Sequence, residues 1–177
     1  MDRYLFVIDY RNDFVDGALG FPGAEKLDEK IAAKVRAYGK GHVLFTRDTH
    51  FENYLSTREG RNLPVEHCIR GTHGWQVYGE TAKALEEVEA PGIDKLVFGM
   101  DVTDPATAAV LPESADEIEL VGLVSNICVV SNAVVLQSKY PEATILVDAA
   151  CTDSFDKSLH EKVLDVLSGF QVKVINR

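Results

Sequence analysis

Residues able to do chemistry stand at or just beyond the ends of apolar runs in this chain: a carboxylate at Asp9, an acid and an imidazole at Asp48 and His50, and a thiol at Cys128. Cys128 lies in Leu120-Val121-Gly122-Leu123-Val124-Ser125-Asn126-Ile127-Cys128-Val129, where a strand-like run gives way to helical spacing. That placement puts the thiol in the first turn of a helix, where free backbone N–H groups and the helix dipole favour thiolate and lower the pKa. A cysteine merely packed among apolar groups fits the same position, because free cysteines are among the most buried residues. Asp9 closes Leu5-Phe6-Val7-Ile8, and a partly desolvated carboxylate there would have a raised pKa suited to taking a proton from a thiol. A turn or capping aspartate is an equal reading.

Asp48-Thr49-His50 sets two donors on one side of an extended segment, and His67 follows His50 by 17 residues. Two imidazoles and a carboxylate with open coordination positions suit a catalytic or substrate-orienting zinc, iron or manganese ion. Glu59 is either a fourth ligand or a solvent-facing glutamate. Lys95 opens Lys95-Leu96-Val97-Phe98 and by itself reads as a solvated lysine flanking a strand. His42, His73 and His160 receive no role: one opens a strand, one follows a Gly-Thr turn and one falls on a polar helix face.

The elements that must position these groups follow from the apolar spacing. Tyr4–Ile8, His42–Thr46, Lys95–Phe98, Ile118–Leu123, Thr144–Val147 and Gln171–Ile175 read as strands buried on both faces. Glu25–Tyr38, Gly79–Val88, Asp104–Leu111, Ile127–Lys139 and Lys157–Leu167 have spacing nearer 3.6 and read as helices. The alternation predicts an α/β fold of three layers, α/β/α, with a doubly wound, mostly parallel, six-stranded sheet whose ligands bind beyond the carboxyl ends of the strands. From about Arg47 to Tyr78 no regular element is predicted, and a loop of that length in a compact domain is usually functional.

The 177 residues, 46% of them apolar, suit one domain spanning the chain. A net charge of −10 disfavours nucleic acid and anionic membrane surfaces as partners and points to a small-molecule substrate. The start Met1-Asp2-Arg3-Tyr4 enters a strand directly, and no apolar run suits a membrane helix, so a cytoplasmic protein is expected. Cys68, Cys128 and Cys151 have neither even count nor C-x-x-C spacing, which argues for thiol chemistry rather than disulfides.

Taken together, the motifs resemble the isochorismatase-like cysteine hydrolases, and their nicotinamidase/pyrazinamidase branch in particular. Val7-Ile8-Asp9-Tyr10-Arg11-Asn12-Asp13-Phe14 is similar to that family's V-I-D-x-Q-x-D-F, and Thr46-Arg47-Asp48-Thr49-His50 to its T-x-D-x-H. His67-Cys68-Ile69-Arg70-Gly71-Thr72-His73-Gly74 resembles H-C-x-x-G-T-x-G, and Gly122 to Val129 resembles G-x-x-T-x-x-C-V. The resemblance implies an Asp9, Lys95, Cys128 triad, a non-proline cis peptide at Val124-Ser125 that turns N–H groups toward the reacting oxygen, and one divalent metal on Asp48, His50 and His67 with Glu59. Zinc heads the expected metals, ahead of manganese and iron. Phe14, Leu19 and Leu63 are expected to bind substrate, and a homo-oligomer is expected with them.

On this resemblance the expected activity is hydrolysis of a small, nicotinamide-like amide through a thioester. A related hydrolase acting on an N-carbamoyl amide or a vinyl ether, and a non-catalytic ligand-binding or thiol redox protein, are the rival readings. Two departures bear on substrate. Leu63-Pro64-Val65-Glu66-His67 has leucine where the branch carries an aromatic residue before the proline, with one extra residue before the histidine. One wall of the ring sandwich would then be missing, and Trp75 or Tyr54 would be the first replacements to consider. Tyr10 and Arg11 also replace the residues usual beside Asp9.

Overall fold

Strand β1 (Arg3–Ile8) is buried on both faces: in the computed structural model, which describes residues 1–177, Leu5 and Val7 belong to one core and Phe6 and Ile8 to the other. The remaining strands are β2 (Val43–Asp48), β3 (Gly92–Lys95), β4 (Glu117–Leu123), β5 (Thr144–Asp153) and β6 (Lys173–Ile175). They form one parallel sheet in the order β3-β2-β1-β4-β5-β6. The order reverses between β1 and β4, which opens a crevice beyond their carboxyl ends. At that seam Gly122 has φ +106, and a Cβ there would meet Ile8 O at 2.0 Å, so only glycine lets β4 lie this close to β1.

The helices are α1 (Asn12–Val15), α2 (Asp28–Tyr38), α3 (Arg58–Asn62), α4 (Gly79–Glu87), α5 (Pro105–Val110), α6 (Val130–Lys139) and α7 (Lys157–Gly169). Ile31 and Val35 of α2 join Ala84 and Leu85 of α4 over the Leu5 and Val7 face. Leu136 of α6 and Leu164 and Leu167 of α7 cover the opposite face. The ends are capped by side chains: Asp104 accepts from Thr107 N–H at 2.9 Å to start α5, and Asp156 from Leu159 N–H at 2.9 Å to start α7. Helix α4 is capped from its neighbour, since Asp28 accepts from Glu80 and Thr81 N–H at 2.8 Å each. No helix is long and apolar enough to cross a membrane.

Several boundaries differ from expectation. Lys95 ends β3 rather than opening a strand, and Leu96 and Val97 are exposed beyond it. The apolar run has strand propensity, but pairing is set by β2, which ends at Asp48 opposite Lys95 and leaves nothing for Leu96 to pair with. The segment Ser125–Val129 is a single π turn ahead of α6, so Cys128 lies in a wider turn than the expected α-helical one. Glu25–Tyr38 divides into a 3-10 turn, Ala24–Leu27, and α2. The long stretch after Arg47 holds a 3-10 turn at Tyr54–Ser56 and the short α3, and β5 runs on to Asp153.

Candidate active site

Asp9, Lys95 and Cys128 come from three segments and meet at the β1/β4 crevice. Asp9 follows β1 with φ +43, and Thr46 of β2 locks it: Asp9 N–H donates to Thr46 Oγ1 at 3.1 Å while the hydroxyl donates to Asp9 Oδ1 at 2.7 Å. Lys95 Nζ lies 2.7 Å from Asp9 Oδ2, donates to Val97 O at 3.1 Å and approaches Cys128 Sγ at 3.8 Å. Burial by itself would lower the lysine pKa, but Asp9, Cys128 and Asp48 more than offset it and hold Lys95 as a firm ammonium.

Cys128 departs from the lowered pKa expected of it. Burial pushes the thiol well up; Lys95 opposes the rise, while Asp9, Asp48 and the Asp9 hydrogen bond add to it. One cation against two carboxylates, without bulk water, leaves a neutral thiol beside a carboxylate.

A second cluster shares Asp48 with the first. Its Oδ1 faces Lys95 Nζ at 3.5 Å, while Oδ2 lies 3.1 Å from His50 Nε2 and 3.5 Å from His67 Nε2. Glu59 Oε1 lies 3.5 Å from His50 Nε2 and 3.8 Å from His67 Nε2. One donor atom from each of these four residues lies within 4.8 Å of the others. Burial works to raise the Asp48 pKa, yet hydrogen bonds to His50 and His67 and the Lys95 charge hold its carboxyl far below the usual range. Burial likewise lowers His50, whereas Asp48 and Glu59 raise it to about 9. The pocket therefore attracts positive charge. His67 Nδ1 sits 2.8 Å from Val65 O, a partner that keeps a proton on Nδ1, so a metal on Nε2 would replace the proton shared with Asp48. Nitrogen and carboxylate donors in this arrangement fit a divalent transition metal.

The loop carrying these ligands is tied down. His50 N–H donates to Cys68 O at 3.0 Å and Arg70 N–H to His50 O at 2.9 Å, while Cys68 N–H donates to Asp13 Oδ2 at 2.7 Å. Thr57 caps α3 by accepting from Gly60 N–H at 3.0 Å, which fixes the turn carrying Glu59.

Both clusters open onto a cavity of about 370 Å³. Phe14, Leu19 and Leu63, the residues expected to meet substrate, line it together with Val124 of the turn before the thiol. Phe98, Ile127 and Phe155 also line it and had not been singled out. The two aromatics follow β3 and β5 in loops, where no periodicity marks a wall; only their position just past a strand end could have signalled them. Trp75 and Tyr54 are not walls: Trp75 donates Nε1–H to Thr49 Oγ1 at 2.9 Å and stacks with Arg11 and Arg47, while Tyr54 packs on His50 and His67.

Near the thiol two further corrections arise. The cis peptide is Leu123-Val124, one residue before the expected bond. Ser125 lies just after it, and its Oγ is 2.9 Å from His160 Nδ1, so His160 is engaged with the turn rather than idle on a polar face. The His160 contact could not be read from spacing, because it depends on how α7 docks against the turn.

The isochorismatase domain family model matches residues 3–177. Among solved structures, the nicotinamidase/pyrazinamidase of Bacillus subtilis has TM-score 0.85 at 26% identity, covering 98% of this chain and 99% of that one. The pyrazinamidase/nicotinamidase of Streptococcus mutans has TM-score 0.81 at 26% identity, with 98% and 99% covered. A pyrazinamidase of Pyrococcus horikoshii in complex with zinc has TM-score 0.79 at 20% identity, with 100% of each chain covered, a likeness of fold. No curated protein sequence matches.

Proposed function

Because this chain belongs to the isochorismatase family, with its structural likeness falling on the nicotinamidase/pyrazinamidase branch, we propose that it hydrolyses a small primary amide to an acid and ammonia, with Cys128 as nucleophile. One observation carries the reading: a single buried ammonium, Lys95, lies 2.7 Å from the Asp9 carboxylate and 3.8 Å from the Cys128 sulfur, beside a cavity that the thiol lines.

The neutral thiol sets the order of events. Asp9 takes the Cys128 proton as sulfur attacks the carbonyl carbon, so charge appears only when the substrate is in place. Lys95 stays protonated and holds the carboxylate and the developing sulfur charge together. In this reading the oxyanion takes the backbone N–H of Cys128, since those of Ile127 and Val129 already donate to Val124 O at 3.2 and 3.1 Å. Asp9 then gives its proton to the departing nitrogen, and ammonia leaves a thioester. A water deprotonated by Asp9 attacks the thioester carbon; the acid departs and the proton returns to sulfur.

Asp48, His50 and His67, with Glu59, would hold a divalent metal, zinc first among candidates. Bound there, it supplies a Lewis-acidic anchor for a donor atom of the substrate. Asp48 links the two clusters, so its position orients Lys95 as well.

The test is ammonia release from a panel of primary amides together with intact-mass detection of an acyl group on Cys128. Ammonia released with no adduct at Cys128, and at an unchanged rate in Cys128→Ala, would overturn the mechanism.

A further inference from the structure

We infer that the acyl group this site accepts is uncharged, apolar and larger than a single aromatic ring; the inference rests on the amidase reading above and narrows its substrate class. Cavity size comes first. A dry cavity of about 150 Å³ lined by aliphatic and aromatic side chains accommodates a benzene ring, and this one measures about 370 Å³. A lone pyridine ring would fill less than half of it, and the remainder extends from the metal end at Asp48, Glu59 and His67 along the apolar walls.

The walls supply the second argument. Polar groups lie at one end only, where Cys128, Asp48, Glu59 and His67 border the cavity. The rest is built from Phe14, Leu19, Leu63, Phe98, Ile127 and Phe155 with smaller residues, and no Lys, Arg, Asn, Gln, Ser or Thr lines it. Lys95 cannot serve as a counter-ion for an acyl substituent, since its ammonium is engaged by Asp9 and Val97 O. Away from the metal end, along the apolar walls, a carboxylate or hydroxyl on the acyl group would give up its water and gain no partner. The chain's net charge of −10 disfavours an anionic substrate further.

The rim extends the same surface outward. Leu63, Phe98 and Phe155 are 38%, 42% and 59% exposed, so apolar contact continues from the cavity to its mouth. This shape fits an arylalkyl or branched aliphatic acyl chain with its amide at the thiol end.

The experiment compares benzamide, phenylacetamide, 3-phenylpropanamide, nicotinamide and 3-carbamoylbenzoate with metal-loaded enzyme, measuring kcat/KM by ammonia release. The same amides are titrated into Cys128→Ala calorimetrically, which reads the cavity without the chemistry. Turnover and affinity should rise by about fourfold per methylene, equivalent to about 0.8 kcal/mol each. Binding should carry a negative heat-capacity change, 3-phenylpropanamide should exceed nicotinamide by about tenfold, and 3-carbamoylbenzoate should be the poorest. If nicotinamide is preferred, if the series is flat, or if 3-carbamoylbenzoate matches benzamide, the inference is overturned while the amidase reading stands. If no amide is turned over but Cys128→Ala binds them in the expected order, the amidase reading fails and the apolar chamber is upheld. Neither turnover nor binding overturns both.

Discussion

Lys95 Nζ and Asp9 Oδ2 lie 2.7 Å apart, and neither side chain is exposed to solvent. An ion pair in that position depends on both members. Lys95→Met keeps the length of the side chain and removes the charge, leaving the Asp9 and Asp48 carboxylates buried without their cation. We expect a stability loss of about 3–5 kcal/mol in urea melts and a fall in kcat of about a thousandfold or more. Activity within tenfold of wild type in a folded variant would remove Lys95 from the mechanism.

Cys128→Ala should abolish turnover, by about ten-thousandfold or more, with an unchanged fold by circular dichroism. Cys68→Ala and Cys151→Ala should keep most of the activity, because neither thiol lines the cavity; burial raises both, Cys151 to about 12. Loss of turnover in either control at full stability would assign that thiol a function.

One equivalent of a divalent metal should bind. Incubation with zinc, manganese or iron followed by elemental analysis reads it directly, and stabilisation of about 4 kcal/mol is expected at a thousandfold excess over Kd. His67→Ala and His50→Ala should each lose both effects. A wild-type protein that takes up none of the three metals refutes the cluster's assignment.

Leu63→Trp should restore an aromatic wall. A stacking contact contributes about 1 kcal/mol beyond area burial, so nicotinamide KM should fall several-fold while larger amides lose turnover. If wild-type enzyme already binds nicotinamide with low-micromolar KM, Phe98 or Phe155 already supplies the wall and the substitution should bring no gain.

Away from the site, Lys34 pairs with Glu119 at 2.6 Å and Asp148 at 2.7 Å on the face of the sheet. Burial works to raise Asp148, but hydrogen bonds from Lys34, Asn176 and the Ala150 N–H outweigh it and depress its pKa. A depressed carboxylate contributes stability in full above its unfolded value, about 3.9, and loses it as pH falls through the folded pKa. This contribution to Tm should therefore be flat from neutral pH to about 5 and decline below 4. Lys34→Met should cost about 3 kcal/mol at pH 7 and reverse the trend, becoming more stable as mild acid neutralises the carboxylates. A variant whose Tm still fell steadily below pH 5 would show that other groups govern the acid limb.

Much of this was legible in the sequence, for physical reasons. Central parallel strands are buried on both faces, so Leu5-Phe6-Val7-Ile8 and Ile118 to Leu123 announce themselves, and Asp9 and Cys128 stand where such runs stop. Lys95 was legible only through family resemblance: β3 lies at the sheet edge, is four residues long and contains two charges, so the more apolar Leu96 to Phe98 captured the strand reading. Phe98 and Phe155 border the cavity from loops, whose course no period encodes. At Cys128 local sequence shows the turn's dipole but not the burial that raises the thiol, nor the opposing charges of Lys95, Asp9 and Asp48 that distant segments bring to it.

The seam between β1 and β4 divides the centre's contributors by chain position. The three acids, the ammonium and the imidazoles all precede residue 96, whereas the sulfur and the turn behind it follow residue 122. Neither portion is competent alone, so turnover reports on the join itself. Slippage of that one strand pair would silence the molecule while most of its secondary structure persisted, and inactivation on warming would then run ahead of the loss of helix signal.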